Sequence, residues 1–122
     1  MTDHTTRVTE LVARAYAHSP AMKQIMDAAG VTPYDINGVD DLHKIPVTSK
    51  DKLVEMHHAN PPFGGFLAMD VNDLPRIYIS PGPIFDPQPP YTGNGWASLE
   101  MFQYVGFGRG DKVLNTFMYH LV

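Results

Sequence analysis

Half of the ten residues from Pro81 to Pro90 are proline: Pro81, Pro83, Pro87, Pro89 and Pro90. Nothing else in the chain restricts its fold so strongly. Proline fixes φ at about −65° and has no N–H, so a run this dense cannot continue a helix or donate to a sheet ladder. The composition predicts a stiff, donor-poor loop over Ser80–Pro90. That loop divides a chain of 122 residues, long enough for one domain with a modest core.

Ahead of the loop the apolar pattern is helical. From about Asp3 to His18, the residues Val8, Leu11, Val12, Ala15 and Tyr16 share one face, with Arg7, Glu10 and Arg14 off it. Ser19-Pro20 reads as a cap followed by proline at the first helical position. A second helix then carries Met22, Ile25, Met26 and Ala29, and Gly30 stops it. A connector from Val31 to Gly38 and a turn at Asp40–Leu42 lead to Thr48–Asp51, a capping-box pattern that opens a third helix through Leu53, Val54 and His57. Pro61-Pro62 ends it, and Phe63–Met69 has no clean period, as for an irregular, partly buried loop.

Around and beyond the proline loop the pattern changes. Arg76–Ser80 is rich in strand formers, a helix is predicted from about Thr92 to Gly106 with Trp96, Leu99 and Phe102, and Lys112–Phe117 reads as a second strand. The order strand, loop, helix, strand predicts an α/β fold: a helical N-terminal subdomain (1–62), then the first strand–helix–strand unit of a larger parallel sheet (63–122). Two parallel strands cannot cover both their faces, and the chain stops on the apolar run Met118–Val122. Truncation is therefore expected. The alternative is that this terminus docks on the chain itself or on a second copy, and unpaired strand edges imply self-association.

Composition excludes several functions. The net charge is -4 and the nine Lys and Arg residues are scattered, which leaves no basic stripe for nucleic acid or an anionic membrane. There is no cysteine, hence no disulfide framework, thiolate nucleophile or Cys-ligated metal. The polar opening Met1–Arg7 has no signal-peptide character. No apolar run approaches the roughly 20 residues of a membrane span, so the expected location is cytoplasmic.

Of six histidines, His57 and His58 would point about 100° apart on a helix, and the others lack ligand spacing. No metal site is assigned. Asp40, Asp41, Asp70 and Asp73 sit where turns and helix starts favour aspartate. Ser80 closes a strand ahead of Gly82, where α/β sheets carry ligand-binding loops; the position suits an ordinary strand terminus equally well. A phosphate cradle needs N–H groups, hydroxyls and a cation. Here five prolines offer no N–H and Asp86 brings negative charge.

Several strings, taken in order, carry a resemblance. Ala15–Pro20, Met26–Val31 with Asp35-Ile36, Asp40–Leu53, Phe63–Ala68, Arg76–Ser80 and Gly106–Val113 with Asn115 and Tyr119 resemble the N-terminus of the phenylacetate–CoA ligase family, within the adenylate-forming superfamily. The resemblance implies an enzyme several times longer that activates an aryl or small carboxylic acid with ATP and Mg2+ as an acyl-adenylate, which coenzyme A then attacks. It implies a small carboxylic acid and a nucleotide as partners, nucleotide contact at Ser80 and Gly82, and an acid pocket near Phe117, Tyr119 and His120. The catalytic residues are left unassigned. The family's phosphate loop is rich in serine, threonine and glycine and closes on lysine-proline. Here Ser80, Gly82 and Pro87 keep matching types, while Asp86 stands where the lysine falls, a charge reversal that repels a triphosphate. Two readings stay open: the N-terminal part of an acid–CoA ligase, inactive as this fragment, or a non-catalytic module of the same descent that binds a ligand or a partner.

Overall fold

The computed structural model of the chain describes residues 4–80, 82, 84–90, 98–114 and 116. Helix α1 runs His4–His18 and α2 Pro20–Ala28, and the residue between them, Ser19, is 2% exposed. The Ser19 hydroxyl accepts the Met22 N–H at 3.3 Å, capping α2, and donates to the Gly65 carbonyl at 3.2 Å. The same carbonyl accepts the Ala21 N–H at 3.0 Å. Gly30, at φ +67°, ends α2: the left-handed turn returns the N–H groups of Gly30 and Val31 to the carbonyls of Asp27 and Met26 at 3.0 and 2.9 Å.

The core is small. Val12, Met26 and Ile36 are buried together, flanked by Val8, Tyr16, Val31 and Ile45. Val8, Val12 and Tyr16 are four residues apart and so share one stripe of α1. Leu11, expected on that face, is 66% exposed and turns elsewhere. At the rim of this core the Tyr16 hydroxyl donates to Asp27 at 2.6 Å, and Lys23 bonds both groups. Lys23 first, and Tyr16 second, hold the Asp27 carboxyl below its ordinary range.

The connector folds into short stretches of 3-10 helix, one turn at Pro33–Asp35 and two at Val39–Lys44. The Asp35 carboxylate accepts the Thr32 N–H and hydroxyl, both at 2.7 Å. Asp41 accepts the Asn37 N–H at 2.8 Å and pairs with Lys44 at 2.7 Å. Helix α3 covers Lys50–Ala59. Its cap is Ser49, which accepts the Lys52 N–H at 3.2 Å, one residue later than the box predicted from Thr48. The loop after Pro61-Pro62 is irregular as expected, with Phe63 and Gly64 buried in it.

Strand β1 (Arg76–Ser80) pairs antiparallel with β2 (Ile84–Gln88), in the register Arg76 opposite Gln88, Tyr78 opposite Asp86 and Ser80 opposite Ile84. This corrects the unbroken loop predicted over Pro81–Pro90. Among the described residues the sheet has two strands, both edges, and an edge accommodates Pro87. The three residues between the strands include Gly82 at φ +120°, the kind of turn that lets a short hairpin close. Arg76, Tyr78 and Gln88 share one face, where the Gln88 side-chain oxygen accepts from Arg76 and Tyr78 at 3.3 Å each. Ile77, Ile79 and Phe85 share the other and are exposed.

Helix α4, Ser98–Tyr104, lies within the predicted helix; Trp96 lies outside the described residues. Gly106, at φ +92°, follows its end, and Phe107 packs edge-to-face on Phe102 with 5.4 Å between ring centres. Residues 112–114 do not form the predicted strand, and Phe117 lies outside the described residues. The fold is thus of the α/β kind, helices followed by sheet, and the sheet seen among the described residues is the antiparallel pair.

Candidate functional site

The two residues predicted to meet a nucleotide, Ser80 and Gly82, sit together at the tip of the hairpin. Ser80 is half-buried and its hydroxyl reaches the Ile84 carbonyl at 3.5 Å. Gly82 is exposed, and a Cβ placed on it would stand 4.0 Å from Cε of Lys50. The first residue of α3 therefore lies beside the turn. In the sequence Lys50 is only part of a helix-opening string, and no local signal links it to Gly82, because the contact is made by tertiary packing. Asp86 is further down β2, opposite Tyr78, and exposed.

Behind the hairpin a cleft of about 530 Å³ opens between α1, α3, the Phe63–Met69 loop and β2. Leu11, Leu53, Phe63, Phe66, Leu67 and Phe85 give it an apolar wall, and Arg14, His57 and Asp86 are its polar members. Leu11 thus has a use other than the core. His57 is 5% exposed and its Nδ1 has no hydrogen-bond partner. Burial, and then the charge of His58, push its pKa below the ordinary 6.5. A neutral imidazole in a cleft is the kind of group that exchanges a proton with a ligand. Its neighbour His58 is exposed, so the pair divides as adjacent helical residues must.

The depressed pKa has a consequence for stability. The unfolded chain binds this proton more readily than the folded one, so stability rises with pH between the folded pKa and about 6.5 and is lost as pH falls through that window. Urea denaturation at pH 7 and at pH 5 should show wild type weakening in acid, and His57→Leu weakening less. Equal acid sensitivity in the two proteins would rule out His57 as the source.

Two of the four aspartates have structural work. Asp41 closes the connector, and Asp70 accepts the Asn72 N–H at 2.8 Å. Among the described residues no three of His, Asp and Glu gather where they could hold a metal ion. Phe117, Tyr119 and His120, predicted near an acid pocket, lie outside the described residues.

No family model matches the chain. It is similar to the phenylacetate-coenzyme A ligase of Escherichia coli K12, 32% identical over 123 aligned positions that cover 96% of this chain and 27% of that protein. It is also similar to the phenylacetate-coenzyme A ligase of Thermus thermophilus, 36% identical over 76 residues, 62% of this chain and 16% of that protein. The chain thus spans about a quarter or less of the length of these curated relatives. Among solved structures it is similar to 2-hydroxyisobutyryl-CoA ligase in complex with 2-HIB-AMP in the postadenylation state, with a TM-score of 0.62 and 22% identity, covering 83% of this chain and 20% of that one. The same ligase with 2-HIB-AMP and CoA in the thioesterification state matches at a TM-score of 0.62 and 20% identity, covering 83% of this chain and 21% of that one. At such identities the likeness shows the fold alone, over 83% of this chain.

Proposed function

Because the chain belongs to the phenylacetate–CoA ligase family, we propose that it is the N-terminal part of an ATP-dependent acid–CoA ligase, the part that brings the Ser80–Ile84 turn to the nucleotide phosphates. One observation carries this reading: the turn is closed by Gly82, exposed and without a side chain, with the Ser80 hydroxyl beside it. Glycine leaves the backbone open to close approach by a phosphate oxygen, and a hydroxyl can donate to one. ATP with Mg2+ would supply the adenylyl group that activates a carboxylic acid for transfer to coenzyme A. Ser80 and Gly82 fit that group, whereas Asp86 opposes it. In the same reading the helical part ends near residue 62, Phe117, Tyr119 and His120 meet the acid, and the enzyme works in the cytoplasm.

The test is a titration of the chain with ATP, following the amide resonances of Ser80 and Gly82. Both are expected to shift, and Asp86→Lys should tighten binding by up to about thirtyfold, since it replaces repulsion by attraction at roughly 1 kcal/mol each per unit charge pair in water, about 2 kcal/mol together. Resonances that stay put in both proteins would overturn the reading. The cleft favours a second reading, a non-catalytic module that takes an apolar acid against His57 and Arg14. Phenylacetate that perturbs His57 and Phe63, with ATP leaving Gly82 unmoved, would select that one.

A further inference from the structure

We propose that Lys50 is the phosphate-binding cation of the Ser80–Ile84 turn, standing in from α3 for a charge that the turn's own sequence lacks. The inference rests on the reading of that turn as the nucleotide's phosphate contact. The stretch from Ser80 to Pro90 contains no lysine or arginine, and its one charged residue is Asp86. A turn of that composition repels a polyphosphate unless another element brings positive charge to it.

Lys50 is placed to do so. Its Cε lies 4.0 Å from the position a Cβ would take on Gly82, and the ammonium, one bond further along on a flexible stem, is within reach of a ligand at the turn. Ser49 fixes where α3 begins, accepting the Lys52 N–H at 3.2 Å, and this makes Lys50 the first helical residue. Lys23, Lys44 and Lys52 are paired with Asp27, Asp41 and Glu55. Lys50 has no ion-pair partner among the described residues, so its charge is not neutralised there. Gly82 is exposed and itself puts no side chain between the turn and Lys50. A phosphate oxygen can therefore approach the turn's backbone and the ammonium together, and a lysine acts in such a place as a point charge on a flexible stem.

Inorganic pyrophosphate is the probe, titrated into the 122-residue chain while the Gly82 amide and the Lys50 side-chain methylenes are followed by NMR. In wild type both should respond. Lys50→Ala should weaken the binding about tenfold, and Lys50→Arg should stay within about threefold, as for loss and retention of one phosphate-paired cation. Lys52→Ala, which removes the neighbouring charge on the same helix, should leave the affinity within about threefold. A Gly82 response of unchanged affinity in Lys50→Ala overturns the role of Lys50 and leaves the turn as a phosphate contact. Equal weakening by Lys52→Ala overturns it as well, because the effect is then one of bulk charge. No response of Gly82 to pyrophosphate in wild type removes both this inference and the reading on which it rests. Far-UV circular dichroism of each variant confirms that α3 is intact.

Discussion

Gly64→Ala is expected to cost roughly 2–5 kcal/mol of folding stability, from two sources that act together. Gly64 sits at φ +62°, where an L side chain is strained by about 1–2 kcal/mol. It is also buried, and the new Cβ would lie 2.9 Å from Cδ2 of His57, 3.0 Å from the Met56 carbonyl carbon and 3.1 Å from the His57 nitrogen. Two of these three atoms are backbone of α3, which cannot rotate away, and overpacking of this kind costs about 1–3 kcal/mol. Gly30 provides the control. It has a similar φ of +67° with nothing within 4 Å of its notional Cβ, so Gly30→Ala should show the conformational part alone, about 1–2 kcal/mol. Guanidinium midpoints of the two variants at unchanged m-value separate the terms. A Gly64→Ala loss no larger than that of Gly30→Ala would mean that the loop yields, and that the wall it gives the cleft is soft.

What could be read from the sequence was local. α1 and α2, their Ser19-Pro20 junction and the Gly30 stop follow from periodicity and capping chemistry, and the structure places them within a residue or so of expectation. The α3 cap slipped from Thr48 to Ser49 because two adjacent hydroxyl residues offer the same chemistry. β2 was hidden by its composition: proline density suggests a loop, and only the pairing of β1 with β2 alone among the described residues reveals an edge position where Pro87 is tolerated. The candidate site was legible as residue types and not as an arrangement. Ser80 and Gly82 stood out by position, but Lys50 reaches them from another element. Nothing in the dipeptide His57-His58 says which ring is buried, since that depends on how α3 is rotated against the loop and α1.

Met26→Ala should be the most damaging of the plain truncations, at roughly 2–5 kcal/mol. Met26 is wholly buried, and it meets Val12 and Ile36 in a cluster with few other members. In a core this small the neighbours are held by caps on both sides: Ser19 pins the start of α2, the Gly30 turn its end, and Asp41 the connector. They cannot collapse into the space, so the cavity persists and the cost lies above the transfer term alone. Leu11→Ala is the informative comparison. Periodicity puts Leu11 on the same face as Val12, yet it is exposed and borders the cleft, so its truncation should cost less than about 1 kcal/mol. Thermal and urea unfolding of the two variants decide between an open cleft and a closed core. If Leu11→Ala falls as far as Met26→Ala, the cleft is filled in the isolated chain, and a ligand could enter only by displacing what fills it.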